Sequence, residues 1–204
     1  MLINEEGDGG LLPFFAEKFG ASPLEVTLLA TVYSFSQFIF APVWGRFSDR
    51  MGRRPIILAT LTGLFCGYVA LTITNSLLML FLARAFTGAM AANAGVIQAF
   101  IADVTDTSAR AGAMAKVGAA HGLGFIVGPA IGGMLAGSDP VDPNLVLPFV
   151  IAASLSATAL VIAFFQVHET ISGELRGHVV QQQRSLRRVF KEAIQIPHLA
   201  LLLV

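Results

Sequence analysis

The stretch GRFSDRMGRR, residues 45–54, packs four arginines and one aspartate between two apolar runs that contain no charged residue. The run before it is LLATVYSFSQFIFAPVW, residues 28–44, and the run after it is PIILATLTGLFCGYVALTIT, residues 55–74. A helix needs about 20 mainly apolar residues to cross the hydrocarbon core of a bilayer. Taken from residue 24, the first run reaches that length, as does the second. The charged stretch is therefore predicted to connect two membrane-spanning helices.

The composition of the chain indicates the same environment. Of 204 residues, 55% are apolar and 13% are charged, whereas about 25% of the residues of a soluble domain are charged. The formal net charge is zero, which gives no electrostatic reason to expect nucleic-acid binding. Cys66 is the single cysteine, so neither an intrachain disulfide nor a spaced metal site is expected. No metal and no cofactor are predicted.

Five segments are long and apolar enough to span a bilayer, where backbone groups find no water and must bond within a helix. They cover residues 24–44, 55–74, 77–102, 117–137 and 145–167. We therefore predict an all-α polytopic membrane protein with a five-helix bundle over residues 24–167. Residues 1–23 form an acidic N-terminus, without the features of a cleavable signal, and contain a short apolar run that resembles the end of a helix. Residues 168–196 are predicted to be a cytoplasmic linker, and residues 197–204 the start of a further helix.

Basic residues set the orientation, because Lys and Arg in short loops are retained on the cytoplasmic side. Of the thirteen Lys and Arg residues, all but Lys18 and Arg84 follow the first, third or fifth span. The connections TNS and GSDPVDPN contain none and are predicted to face outward. The eleven residues on the cytoplasmic side are Arg46, Arg50, Arg53, Arg54, Arg110, Lys116, Arg176, Arg184, Arg187, Arg188 and Lys191.

The polar segment after the fifth span has two interpretations. RSLRRVFKEAIQ, residues 184–195, fits a basic amphipathic helix lying on the membrane surface. It fits equally a solvated linker that obeys the positive-inside rule.

The charged stretch contains more than a topology signal requires. Gly45 permits close backbone approach, Gly52 permits a tight turn, and Asp49 and Arg53 are one helical turn apart. This G-x-x-x-D-R-x-G-R-R pattern resembles the loop between the second and third helices of the major facilitator superfamily.

Two further motifs strengthen the resemblance. LARAFTGAMAANAGVIQAFIADVTDTSAR is similar to the fourth-helix region of the drug/proton antiporters of that superfamily, with Arg84 inside the helix, Gly88 one turn later, and Asp103 and Arg110 at its cytoplasmic exit. GLGFIVGPAIGG resembles the fifth-helix antiporter motif. Its matching residues are Gly124, Gly128, Pro129, Gly132 and Gly133.

The resemblance is closest to tetracycline-exporter-like proteins, in which twelve helices form two six-helix halves around a central cavity. It implies that this chain corresponds to a partial N-terminal six-helix bundle with an incomplete first helix. The resemblance further implies proton-coupled export of a small organic solute by alternating access, from the cell membrane, which is the inner or plasma membrane in a bacterium. The expected partners are the lipid bilayer, a small-molecule substrate, protons and a missing C-terminal half.

Asp49, Arg53 and Asp103 are interpreted as a cytoplasmic charge network that closes one face of the transporter and breaks during alternating access. The alternative is an arginine-rich loop that only sets topology, but topology has no use for the two acids. Arg84 is an intramembrane charge, which is a functional hypothesis by default. The resemblance implies a role in proton coupling, and the alternative is a structural arginine that snorkels to the outer surface.

The remaining candidates are uncharged or weakly titrating groups within the spans. The motif glycines and Pro129 are predicted to serve helix packing and gating. His121 is either a proton carrier or a packed polar group in a small-residue helix. Five residues in all are predicted to line the cavity: Tyr33, Gln37, Asn93, Gln98 and His121.

Two other functions stay open at this stage, and a third is not supported. A uniporter or symporter of the same superfamily would have the same helices. A non-transporting membrane subunit would too. An intramembrane enzyme would require paired acids, a serine with a histidine, or a metal cluster within the spans, and the sequence offers none of these.

Overall fold

A computed structural model describes residues 20–136 and 146–170. Within these residues the chain is entirely helical, with no strand. The helices are α1 (Pro23–Met51), α2 (Arg53–Thr72), α3 (Leu77–Ala91), α4 (Ala94–Val104), α5 (Arg110–Ala136) and α6 (Val146–Gln166). Since α3 and α4 together cover one span, five segments of the described residues are long and apolar enough to cross a membrane, and the predicted all-α fold with five spans is confirmed over these residues.

Several predicted features lie outside the described residues. They are the acidic N-terminus up to residue 19, the outward connection at 137–144, the linker beyond residue 170 with its amphipathic segment, and the further helix at 197–204.

The first helix is longer than predicted, because the charged stretch is itself helical as far as Met51. Ser22 begins the helix through a capping box, in which its hydroxyl accepts from the Glu25 N–H and the Glu25 carboxylate accepts from the Ser22 N–H. The helix ends at Gly52, whose φ of +108° is a conformation that L side chains rarely adopt. The predicted loop between the first two spans is thus reduced to one residue.

The third span is interrupted where a continuous helix over residues 77–102 is expected. The break falls at Ala92 and Asn93, between α3 and α4. The Asn93 amide donates to the Thr60 hydroxyl of α2 at 2.8 Å and makes no capping bond to its own helix. The bond between Asn93 and Thr60 thus coincides with the break between α3 and α4. The apolar composition of residues 77–102 does not predict that break.

Two buried apolar clusters lie at opposite ends of the bundle. The first joins α1, α2, α3 and α6, and the second, at the end that carries the charged stretch, joins α2, α4 and α6. The buried members of the first cluster are Leu29, Leu71, Leu80, Ala83 and Phe149. Those of the second cluster are Ile56, Ile57, Val96 and Ala163. Helix α5 is different, since none of its described side chains is buried.

Helices α1 and α3 meet backbone to backbone at Gly88, where an added Cβ would collide with the main chain of Tyr33. Two side chains of α1 donate to carbonyl groups of α3 along the same seam. The Trp44 indole Nε1 bonds the Ala89 oxygen at 2.7 Å, and the Gln37 amide bonds the Ala91 oxygen at 3.3 Å. A small residue that permits close approach, reinforced by interhelical hydrogen bonds, is how membrane helices associate.

The topology predicts opposite accessibility for the two ends of α2. Met51 and Asn75 are exposed and flank that helix. In a Cys66→Ser background, a membrane-impermeant maleimide should label Asn75→Cys in intact cells, and should label Met51→Cys only after the membrane is opened. Labelling of both positions in intact cells would contradict the topology.

The contact at Gly88 predicts a large difference between two Gly→Ala substitutions. Gly88→Ala forces apart the backbones of α1 and α3 and should cost about 1–3 kcal/mol of stability, the range for an overpacked core. The control is Gly95→Ala in α4, where an added Cβ meets open space. Thermal unfolding of the purified chain in detergent measures both, and equal melting temperatures for the two variants would refute the close contact.

Candidate functional site

The Arg53 guanidinium lies at the centre of a polar cluster at the helix ends that are predicted to face the cytoplasm. Its Nη1 donates to Asp49 Oδ1 at 2.7 Å and to Ser48 Oγ at 2.8 Å, while its Nε donates to Asp103 Oδ2 at 3.2 Å. The side chain of Arg53 is 14% exposed, whereas Asp49 and Asp103 are 33% and 36% exposed. We call Ser48, Asp49, Arg53 and Asp103 the arginine cluster.

Three helix ends position this cluster. Ser48 and Asp49 are in the last turn of α1, Arg53 is the first residue of α2, and Asp103 is next to the last residue of α4. Asp49 and Arg53 lie on either side of the turn between α1 and α2. Because that turn consists of Gly52 alone, the two side chains are close together in space. The structure thus brings together all three charged residues that the sequence singles out for a gate.

The segment after α6 adds two residues that sequence reasoning missed. Glu169 Oε1 accepts from the backbone N–H of Arg53 at 3.0 Å, and the Thr170 hydroxyl donates to Asp103 Oδ2 at 3.3 Å. A Cβ at Gly52 would collide with the Glu169 carboxylate. Both residues belong to the segment that is predicted to be a linker. The one sequence feature that could have indicated a contact is the presence of an acid, Glu169, shortly after the fifth span.

The cluster can hold four parts of the chain together reversibly. One guanidinium contacts two carboxylates, and a third carboxylate binds the first N–H of α2, where the helix dipole favours negative charge. Hydrogen bonds to charged groups contribute about 1.5–3 kcal/mol each, and less when water competes. The ends of α1, α2 and α4 and the segment after α6 are therefore joined by hydrogen bonds to charged groups that water can reach.

Arg84 forms a second polar site, inside the bundle between α1 and α3. It is buried, with 5% exposure, and its guanidinium carbon lies 4.4 Å from the centroid of the Tyr33 ring. This distance is that of a cation–π interaction, which is stronger for a desolvated cation. Arg84 therefore faces a neighbouring helix and does not extend to the outer surface.

The five candidate cavity residues divide into two groups. Tyr33, Gln37 and Asn93 contact neighbouring helices through Arg84, the Ala91 carbonyl and Thr60, as described above. Gln98 and His121 are exposed, and the His121 ring lies 5.8 Å from the Phe125 ring of the same helix. Tyr33, Gln37 and Asn93 thus contribute to interhelical contacts, whereas Gln98 in α4 and His121 in α5 remain open to their surroundings.

The glycine motif of α5 lies on a helix with little cover. At Gly124, Gly128 and Gly133, and likewise at Gly45 in α1, an added Cβ would meet no described atom within 4 Å. Pro129 lies inside α5, and Gly132 is half-buried. The predicted packing and gating role of these residues therefore stays a prediction.

Close packing is observed instead at two glycines that the sequence reasoning passed over. Gly63 and Gly67 form a G-x-x-x-G pair on α2, and an added Cβ would collide with the side chains of Met90 and Thr87 on α3. The spacing was a usable signal, because small residues four apart line one helix face.

Five apolar spans with charged and glycine motifs at their ends define a polytopic α-helical membrane protein. Comparison with known proteins identifies the family. The chain matches the Major Facilitator Superfamily over residues 8–204 and belongs to it. It is a multi-pass cell-membrane protein, surrounded by lipid.

Its relatives include proteins named for drug resistance. The chain is 44% identical to Tetracycline resistance protein, class D, of Salmonella ordonez over 138 residues, which is 68% of this chain and 34% of that protein. It is 30% identical to Multidrug resistance protein 1 of Bacillus subtilis over 193 residues, which is 94% of this chain and 48% of that protein. The matched regions thus span between a third and a half of these relatives.

The geometry of the arginine cluster predicts that its charges are coupled energetically. Arg53→Gln leaves two carboxylates close together without their shared cation, and should cost about 1–2 kcal/mol of stability because the carboxylates are one-third exposed. Adding Asp103→Asn should recover part of that loss, because it removes the repulsion.

Thermal unfolding in detergent of the wild type, both single variants and the double variant gives the coupling energy. Arg46→Gln is the control, since Arg46 is exposed on the same helix end and should be neutral. Strictly additive effects of Arg53→Gln and Asp103→Asn would mean that the two side chains are not coupled.

Proposed function

We propose that this chain forms part of a proton-coupled exporter of a small organic solute that works by alternating access. The observation that carries the proposal is the arginine cluster, which ties together the cytoplasmic ends of several spans with breakable bonds. Membership of the Major Facilitator Superfamily and relatives named for tetracycline and multidrug resistance support it. The proposal includes no catalytic step.

In this proposal Asp49, Arg53 and Asp103 act as a cytoplasmic gate. Their bonds stabilise the state in which the cytoplasmic ends are together, and water replaces them when the ends separate. A bond of about 1.5–3 kcal/mol to a charged group is comparable with the few kcal/mol that separate interconverting conformations. The gate is strong enough to bias the equilibrium and weak enough to open.

Arg84 is proposed to act in proton coupling through its fixed charge. A guanidinium does not release its proton in a protein, so Arg84 cannot itself carry one. It can lower the pKa of a carboxyl group that approaches it, and thereby favour proton release. The acids among the described residues are all at or near helix ends: Glu25, Asp49, Asp103, Asp106 and Glu169. The proposal therefore places a carboxyl proton carrier within a span outside the described residues, and His121 of α5 remains the proton-carrier candidate among the described residues.

A second helical bundle is proposed to complete the pathway. Major facilitators consist of two bundles that rock around a site near the bilayer midplane. Helix α5, with its open glycines and its lack of buried side chains, offers a surface on which another helix can pack closely. We assign that surface to the C-terminal half of the transporter.

Two alternatives have the same helices. A uniporter or symporter would move solute without exchanging it for protons, and a non-transporting membrane subunit would move none.

A chimera tests the proposed function. The residues of this chain that align with Tetracycline resistance protein, class D, replace their counterparts in that protein, and growth of sensitive cells on tetracycline is measured. The chimera should confer resistance, and Asp49→Asn or Arg53→Ala should reduce it strongly, because the gate no longer closes. Arg46→Ala is the control and should leave resistance unchanged, with membrane insertion checked by immunoblot for every variant.

Everted vesicles from the same cells separate the mechanisms. Tetracycline uptake driven by an imposed pH gradient should vanish with a protonophore and with Arg84→Ala. Uptake that survives the protonophore would indicate a uniporter, and an insertion-competent chimera without transport would indicate a non-transporting subunit.

A further inference from the structure

Helices α2 and α6 border an open groove of about 450 Å³ on the outside of the bundle. Its lining is almost wholly apolar: Leu58, Thr62, Leu160, Val161, Phe164 and Phe165. The Thr62 hydroxyl donates to the Leu58 carbonyl at 2.8 Å, so the polar atom of this lining is already bonded within its own helix. The groove therefore offers a surface suited to a hydrocarbon chain.

The groove lies at the cytoplasmic ends of both helices. Leu58 and Thr62 are in the second and third turns of α2, which begins at Arg53, and Phe164 and Phe165 are in the last turn of α6. A helix rises about 5.4 Å per turn. The groove thus opens toward the cytoplasmic leaflet of the bilayer.

Arg54 marks the cytoplasmic end of the groove. Its guanidinium carbon lies 5.7 Å from the centroid of the Phe164 ring, and its Nη2 donates to the Phe164 carbonyl oxygen at 3.0 Å. Both contacts hold the head of Arg54 against α6, one turn before Leu58. Unlike Arg53, Arg54 forms no ion pair within residues 20–136 and 146–170.

A phospholipid has an anionic phosphate and apolar acyl chains. The guanidinium of Arg54 suits the phosphate, and the apolar groove next to it suits an acyl chain. We propose that this groove is a binding site for an anionic phospholipid of the cytoplasmic leaflet, with an acyl chain between α2 and α6 and the phosphate on Arg54. The bond to Phe164 occupies one of the N–H donors of Arg54, and a guanidinium presents five, in a fork that suits phosphate. Basic pockets between membrane helices on this side bind lipid head groups in the same way.

Charge selects an anionic lipid over a zwitterionic one. Arg54 forms no ion pair within the described residues, whereas the three nearby carboxylates, of Asp49, Asp103 and Glu169, are bonded to Arg53 through its guanidinium or its backbone N–H. A choline head group would bring a second cation toward Arg54, whereas a glycerol head group leaves the phosphate charge uncompensated. The site is independent of the proposed transport function.

Native mass spectrometry of the full chain, purified in detergent and mixed with equal amounts of phosphatidylglycerol and phosphatidylcholine, tests the proposal. The wild type should retain phosphatidylglycerol preferentially. Arg54→Gln should reduce that retention about tenfold, the equivalent of one charge-assisted hydrogen bond. Arg46→Gln, an exposed arginine in α1, should retain phosphatidylglycerol as the wild type does.

A second variant tests the groove without altering the charge. Leu160→Trp fills the groove and should also abolish preferential retention, while Arg54 remains in place. The site is refuted if either Arg54→Gln or Leu160→Trp retains phosphatidylglycerol fully, or if the wild type retains both lipids equally. It is also refuted if glycerol phosphate, which has no acyl chain, competes with the lipid at equal concentration.

Discussion

The charge of Arg53 constrains the arrangement of one end of this bundle, the end that is predicted to face the cytoplasm. A guanidinium stays charged at any physiological pH, so a largely buried one must keep acceptors around it. The acceptors here come from the end of α1 and the end of α4, and the segment after α6 bonds both the Arg53 backbone and Asp103. Each of these segments has to end at the right depth for the contacts to form. The contacts of Arg53 therefore constrain the length of α1, the length of the turn at Gly52 and the path of the chain after α6.

Within the membrane a different constraint applies. Lipid tails are as apolar as leucine, so burying apolar surface gives little reason for helices to associate. The seams of this bundle accordingly depend on close approach at Gly88, Gly63 and Gly67, and on polar bonds such as the one from Asn93 to Thr60. Large apolar side chains remain on the outer faces, where lipid solvates them.

The spans and the contact between Asp49 and Arg53 could be predicted from the sequence, because both depend on the spacing of residues that are close together in the chain. Five apolar runs specify the five spans of the described residues, and an acid four residues before an arginine lies within reach of it across the one-residue turn at Gly52. Other features arise from contacts between distant segments. The break at Asn93 coincides with a bond to α2, and the role of Glu169 depends on where α6 ends relative to Gly52. No periodicity in the sequence encodes either one.

The single-residue turn at Gly52 has a mechanical consequence. A helix of 29 residues is about 44 Å long, while the hydrocarbon core is about 30 Å thick, so α1 extends beyond the core toward the turn. One residue supplies only two soft dihedral angles, and the Glu169 carboxylate occupies the space beside them. The joint is short, so the adjoining ends of α1 and α2 stay close together, and larger relative movement within the bundle is more easily accommodated at longer connections such as residues 73–76 and 105–109.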